Sequence, residues 1–461
     1  MTSLRIKWAL PTLLAVALTA TGTTVGQAAP ARTTSTGTVN ETAGAVVAGA
    51  LQSTAFTAEE SCSPLPAGAR GAGKAVTACV SVDDAPGEAG AAATKTAALS
   101  APAVRTTAAA LSADDAAGDG TSTEFEPDAD DAEPPPPSCV LSAPGHWAWS
   151  RTGGMCLRGA EVTYTLYDAN GKPIGTGLIE VNSTLATSYK SLELKETITA
   201  KLVKVTGDVK SLLVKMQVSC GVGCTTVMKQ PWYGTTPLTV GQENSGSTKY
   251  TGDAFAPNTT RSSFQTGYKL YVMMPGATVI DTNASWSSPA AGEIRCDKEQ
   301  PRLRGCVIPT DDLPVLSYSR SHEKYRIVVP IYEEIMKRRG TDILHAVDQA
   351  QAHTNRAATC TPFTNLFPGT RGADSCDEFP MASTKEGGQD GNACAELTPQ
   401  IMNGVWSAPA TWASRPATGT ETCLRLHITQ RANSSAGGVL GSLRKYQRLV
   451  TDDPFRIEFT A

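Results

Sequence analysis

Residues 376–388, CDEFPMASTKEGG, set three carboxylates, Asp377, Glu378 and Glu386, around a short apolar stretch that ends in two glycines. Hydrolysis of a phosphodiester needs an activated water, neutralisation of the charge that builds on the phosphorane oxygens, and help for the departing oxygen; carboxylates with a divalent cation supply these. Hard oxygen ligands recruit magnesium, calcium or manganese. Pro380 biases Phe379 towards extended backbone, and Gly387-Gly388 lets the main chain approach a phosphate closely. On composition alone the competing account is that adjacent acids beside a turn are simply solvated.

The run Asp377-Glu378-Phe379-Pro380-Met381-Ala382, followed by Glu386-Gly387-Gly388, resembles the signature of the NucA/NucB family of small secreted bacterial deoxyribonucleases: Asp-Glu-aromatic-Pro-x-Ala, then Glu-Gly-Gly. A second block, Asn433 to Gly438, is similar to the family's Asn and small-residue segment. The resemblance covers roughly residues 290–461. It implies an endonuclease that cuts DNA with little sequence preference, on an α+β core of the ββα-metal type, with Mg2+ or Mn2+ as cofactor. Carried over residue by residue, it implies catalytic roles for Asp377, Glu378, Glu386 and Asn433, with Asp377 and Glu386 as metal ligands. His427, Arg425 and Arg431 are further candidates, for contact with the substrate phosphate. The chain departs from the family at Ala432, where an acid usually precedes the Asn. That departure supports an alternative, a decayed nuclease-like module in an extracellular DNA-binding or structural protein. A glycosidase is disfavoured, because adjacent carboxylates in an extended segment diverge and do not flank one bond.

Elements must hold these residues together. In 290–461, RIVVPIYEEIMKR begins strand-like and turns helical, DILHAVDQAQAH has helical spacing, and TCLRLHIT and PFRIEFT alternate as strands, which is an α+β pattern. Residues 139–289 read as an all-β, sandwich-like domain: VTYTLYD, a turn at Asn170-Gly171 and PIGTGLIEV form a hairpin, and LELKETITAKLVKV, SLLVKMQVSC and GYKLYVMM add strands. Residues 32–138 are rich in Ala, Thr, Asp and Pro and predict a disordered segment. Gly68, Gly73 and Lys74 inside it mimic a phosphate-binding loop, but Ala75 replaces the hydroxyl that would hold magnesium and no hydrophobic strand precedes it. Residues 1–31, with Arg5 and Lys7 before an apolar run, read as a signal peptide.

Export agrees with the cysteines. Their even number, 12, predicts disulfides in an oxidising compartment, and neighbour spacing suggests Cys62–Cys79, Cys139–Cys156, Cys220–Cys224, Cys296–Cys306, Cys360–Cys376 and Cys394–Cys423. A secreted, extracellular monomer with no membrane span is expected, with DNA as its partner. Charge is divided: residues 32–138 hold 5 Lys+Arg against 15 Asp+Glu, whereas 290–461 hold 20 of each, so DNA attraction must come from local clusters. Three stand out: Arg295, Lys298, Arg302 and Arg304; Lys337 to Arg339; and Arg444, Lys445 and Arg448.

Overall fold

Alternating apolar and polar residues build the longest strands. The computed structural model describes residues 52–65, 75–82, 142–275, 282–300, 302–366, 374–402, 405–407 and 418–461; these are mostly β-sheet with three α-helices. The strands up to residue 307 are β1 (Gln52–Ala55), β2 (Ser61–Pro64), β3 (Ala75–Val82), β4 (His146–Ser150), β5 (Gly154–Asp168), β6 (Pro173–Ala186), β7 (Glu193–Gly207), β8 (Leu213–Cys220), β9 (Thr225–Thr226), β10 (Glu243–Thr251), β11 (Arg261–Phe264), β12 (Thr266–Met273), β13 (Asn283–Ser287), β14 (Ile294–Asp297) and β15 (Gly305–Val307). The hairpin β5–β6 turns at Asn170-Gly171, with Gly171 at φ 75°, where a side chain would be strained.

The largest sheet runs β1-β4-β5-β6-β7-β10-β9, with β3 beside the second half of β5 and β2 paired to β3. A second sheet, β13-β12-β8, shares its core: Tyr164, Ile179, Val181, Ile198 and Leu202 of the first meet Val214, Met216, Leu270 and Val272 of the second in one buried cluster. Residues 52–65 and 75–82 correct the expectation of a disordered 32–138 segment. They form β1 to β3, bury Phe56, Leu65, Ala78 and Val80 in that cluster, and carry the Cys62–Cys79 bridge. Local composition misses this because the segment borrows a core and two strand edges that β4 and β5 already provide. The remainder of 32–138 and the signal segment 1–31 lie outside the described residues.

The C-terminal elements are β16 (Val315–Ser319), α1 (Val329–Arg339), β17 (Ile343–His345), α2 (Gln349–Cys360), β18 (Asp374–Phe379), β19 (Ala395–Leu397), β20 (Gln400–Met402), β21 (Val405–Ser407), β22 (Leu424–Thr429), α3 (Gln430–Tyr446) and β23 (Pro454–Thr460). β23 pairs parallel with β16 and antiparallel with β17; β22 pairs antiparallel with β18 and parallel with β19. Two sequence assignments shift. RIVVPIYEEIMKR contributes a helix from Val329 but no strand, with Gly340 at φ 71° ending it. DILHAVDQAQAH splits into a short strand and a helix, because Asp348 accepts from the Gln351 amide and starts α2 there. The first core extends to Ile308 and the second starts at Leu316, so residues 290–308 pack with the β layers. Five of the suggested disulfides form: Cys62–Cys79, Cys220–Cys224, Cys296–Cys306, Cys360–Cys376 and Cys394–Cys423; Cys139 lies outside the described residues. No helix among the described residues is long and apolar enough to cross a membrane.

A buried ion network ties the two cores. Arg448 Nε donates to Asp297 Oδ2 (2.9 Å) and its Nη1 to the Tyr189 carbonyl (2.5 Å), and both Arg448 and Asp297 are fully buried. Arg295 reaches Asp453 Oδ1 (2.7 Å) and the Arg448 carbonyl (2.8 Å), while Arg151 reaches Asp453 Oδ2 and the Gln447 carbonyl, both at 2.8 Å. Burial pulls Arg151 down to about 10, against the opposing charge of Asp453. Arg295 and Arg448 therefore serve as cross-domain bolts and do not meet DNA. On α1, Lys337 pairs with Glu333 (3.1 Å) and Arg338 with Glu334 (3.2 Å), each one turn apart, with Lys337 exposed. Arg448→Ala strands Asp297 without its partner and is expected to cost about 3–5 kcal/mol. Calorimetry should then show the single unfolding transition separate into two; an unchanged trace would contradict the bolt.

Candidate active site

Strand β18 carries the acidic signature, and a strand sends successive side chains to opposite faces. Its antiparallel register sets Asp377 opposite Leu426, Glu378 opposite Arg425 and Cys376 opposite His427. Asp377 therefore joins Phe379, Leu424, Leu426 and Ile428 on the face that packs into the second core, and Glu378 points the other way. On the core side, Tyr332 of α1 donates to Asp377 Oδ2 (2.6 Å) and its ring stacks on Phe379 at 4.3 Å. Burial pushes the Asp377 carboxyl up to about 8, helped by the charge of Glu378 and opposed by the Tyr332 hydrogen bond.

The opposite face is polar and sealed. His427 Nδ1 lies 2.8 Å from Asp374 Oδ2 and its Nε2 3.0 Å from Glu396 Oε1. Arg425 Nη2 donates to Glu396 Oε2 (2.8 Å), and the Phe363 ring stacks on His427 at 4.5 Å. Glu378 Oε1 accepts from Arg356 Nε (2.9 Å); burial raises its carboxyl while Arg356 pulls it down. The side chains of His427 and Asp374 are 0% exposed, so neither His427 nor the buried Arg425 reaches a substrate phosphate; Arg431 is exposed on the first turn of α3. Asn433 Nδ2 donates to Ser375 Oγ and the Cys376 carbonyl, both at 2.8 Å, stitching α3 to β18. Ala432 is buried in the core and its amide donates to the Thr429 cap (3.2 Å), so an acid there would be a buried charge, which the core disfavours.

Glu386 finds a partner that the sequence did not single out. His345, at the end of β17, lies with Nδ1 2.8 Å from Glu386 Oε1 and donates its backbone N–H to Glu386 Oε2 at 3.0 Å. The His345 side chain is 39% exposed and that of Glu386 17%. The loop carrying Glu386 is clamped from both sides. Lys385 N donates to the His345 carbonyl (2.8 Å), and Asn355 of α2 donates to the carbonyls of Ala382 (2.8 Å) and Thr384 (2.9 Å). This clamp explains the paired glycines differently from the expected phosphate contact. A Cβ on Gly388 would lie 2.4 Å from Asn355 Oδ1, and one on Gly387 2.3 Å from the Met381 carbonyl oxygen. His345 gave no signal in its own spacing, since nothing in the sequence brings position 345 to position 386. A cavity of about 280 Å³ is lined by Val347, Asp348, Gln351, Asn355, Lys385 and Thr451, with neither His345 nor Glu386 in its wall.

The four residues expected to converge are thus dispersed: Asp377 in the core, Glu378 beneath Arg356, Glu386 on His345, and Asn433 on β18. Among the described residues, one group brings three potential metal ligands together, Cys360, Cys376 and Glu378, and its two sulfurs form a disulfide. Asp377, mostly protonated at neutral pH, and Glu386, turned to His345, do not form the expected ligand pair. The side chains in place do not fit a pre-formed cage for Mg2+ or Mn2+.

The Deoxyribonuclease NucA/NucB family model matches residues 334–405, a stretch holding His345, Asp377, Glu378 and Glu386 but ending before Arg425, His427 and Asn433. No curated protein matches the chain.

The Asp377 carboxyl sets a pH dependence. Its value rises from 3.8 unfolded to about 8 folded, so the native state keeps a proton that the unfolded chain releases. The associated stability is complete below the unfolded value and is lost as pH rises through about 8. Asp377→Asn, which retains an acceptor for Tyr332, should flatten the fall of melting temperature across that window. Parallel melting curves for both proteins would show that Asp377 is not the group responsible.

Proposed function

We propose, taking the NucA/NucB character of the C-terminal domain as the premise, that this protein is a secreted endonuclease that hydrolyses DNA phosphodiester bonds with little sequence preference, using His345 as its base. The observation that carries this is the His345–Glu386 pair: a part-exposed histidine held through its ring Nδ1 and its backbone N–H by one carboxylate, inside the segment matched by the deoxyribonuclease model. With Nδ1–H donated to Glu386, the Nε2 lone pair is left to take a proton from water as that water attacks phosphorus. Glu386 orients the ring and stabilises the imidazolium that forms. Lys385 holds the loop to the His345 carbonyl through its backbone N–H and pairs its Nζ with Asp452 (2.5 Å).

The antiparallel β18–β22 pair, with α3 following β22 directly, supports the ββα-metal reading of this core. Dependence on Mg2+ or Mn2+ belongs to the proposal only as an ion that arrives on substrate phosphates, since Mg2+ is commonly bound through few carboxylates plus phosphate; no step assigned to the chain's own residues runs through it. Secretion draws support from the disulfides.

Plasmid cleavage by the full chain, followed on gels across a panel of divalent metals and with chelator, tests the activity. His345→Ala should lower kcat by about 10²–10⁴-fold with a small change in KM, and Glu386→Gln should lower it less. Undiminished cleavage by His345→Ala would remove the dyad from the mechanism.

A further inference from the structure

The β8–β12–β13 sheet turns one face to the first core and the other to solvent. Val214, Met216, Leu270 and Val272 point inward, so the residues between and beside them, Lys215 and Gln217 of β8 and Lys269 and Tyr271 of β12, stand on the outer face. The antiparallel register sets Lys215 opposite Tyr271 and Gln217 opposite Lys269. Tyr271 joins the group together: Lys215 Nζ lies 5.4 Å and Lys269 Nζ 5.2 Å from its ring centre, and its hydroxyl donates to Gln217 Oε1 at 3.1 Å. Among the described residues neither of these lysines takes part in an ion pair, and the Tyr271 ring is the partner of both ammonium groups.

A second tyrosine extends the row. Trp232 pairs across the edge of β8 with Met216 and packs on the first core, and a Cβ on Gly234 would lie 2.9 Å from the Lys215 nitrogen. Tyr233, between the two, is therefore placed beside Lys215, and it is 68% exposed. Tyr233, Lys215 and Tyr271 thus follow one another across the sheet, with Lys269 two residues along β12. The acid that the register brings to the same face is Glu59, whose backbone pairs with Ser285, itself opposite Lys269; two strand spacings put it about 10 Å from Lys269. The face is positive, with aromatic rings set between its charges.

We propose that this face binds single-stranded DNA, with Lys215 and Lys269 on backbone phosphates and the Tyr233 ring stacked on a base. The choice of DNA among anionic polymers rests on the nuclease reading of the C-terminal domain, whereas the choice of a single strand rests on the face itself. Every base out of a duplex presents a flat π surface, and aromatic rings interleaved with cations bind such strands without sequence preference. A duplex keeps its bases stacked on one another and offers this sheet phosphates alone. Attraction between each ammonium group and the Tyr271 ring holds the two charges at fixed places on the sheet before a strand arrives. The β layers thereby gain a use: they retain unpaired DNA on the molecule that cuts it.

The test uses the full chain carrying His345→Ala, with chelator present to keep the DNA intact, alone and combined with Lys215→Gln/Lys269→Gln or with Tyr233→Ala. Binding to a labelled oligothymidylate is measured by fluorescence anisotropy as a function of salt, with thermal melting as the control for folding. Loss of two phosphate contacts to a single strand should lower the slope of log affinity against log salt by about 1.4. Tyr233→Ala should weaken binding by about tenfold and leave that slope unchanged. A duplex of equal length should respond to the lysine variant and be indifferent to Tyr233→Ala. Folded variants that bind the strand as their parent does overturn the site, as does a parent that binds no single strand. Equal weakening of strand and duplex by Tyr233→Ala overturns the single-strand assignment. Loss of affinity for heparin with strand affinity intact would give the face to an anionic polysaccharide and overturn the proposal. Plasmid cleavage by the chain with His345 intact is scored apart: strand binding lost in the variants although the wild-type chain never cuts DNA would sink the nuclease reading and leave this site, and cleavage with no effect of the variants on binding would do the reverse.

Discussion

Arg448 and Asp297 are both completely buried, and two charges taken out of water are tolerated only where nearly every donor and lone pair finds a partner. Here the partners come from both halves of the chain: the Tyr189 and Asp297 carbonyls on one side, and Arg295 and Arg151 meeting Asp453 on the other. The bolt fixes the 447–453 turn against the β layers. That turn carries Thr451, which Arg261 of β11 also grips, and Asp452, which pairs with Lys385. The loop that carries Glu386 is therefore tied, through Lys385 and Asp452, to a junction far from either signature block.

Within the C-terminal half, pleating decides which acids can act together. Neighbours on a strand cannot share a site, so Asp377 and Glu378 end in two environments. One is an apolar core that holds a proton on its carboxyl, and the other is a polar layer in which every charge meets another. The Cys360–Cys376 bridge closes a separation of 16 residues between α2 and β18, a constraint worth about 3 kcal/mol in chain-entropy terms, and it keeps α2 over that polar layer. The same helix supplies Asn355, which clamps the loop bearing Glu386. One short helix thus supports both the sealed network and the exposed pair.

Much was legible before any coordinates. Strand alternation located β5 to β8, β12, β22 and β23, the spacing of cysteines suggested five bridges that form, and the acidic run with its paired glycines pointed to the segment that the deoxyribonuclease model matches. What failed did so for identifiable reasons. The 32–138 segment was judged on its own apolar content, yet β1 to β3 complete a core made elsewhere. Arg425 and His427 have the chemistry of phosphate ligands, but Glu396 and Asp374 meet them first.

The sequence by itself determined the local facts: which stretches alternate, that a carboxylate sits at 386, and that cysteines stand close enough along the chain to pair. These depend on side chains a few residues apart, and chain connectivity already places them. Only the tertiary structure decided that His345 meets Glu386, that Asp377 faces a tyrosine in the core, and that Lys215 and Lys269 share the Tyr271 ring. Each of those contacts is set by strand register and by packing between segments that the chain leaves free to meet or to miss, and the free energy that selects among the alternatives is shared by the whole core.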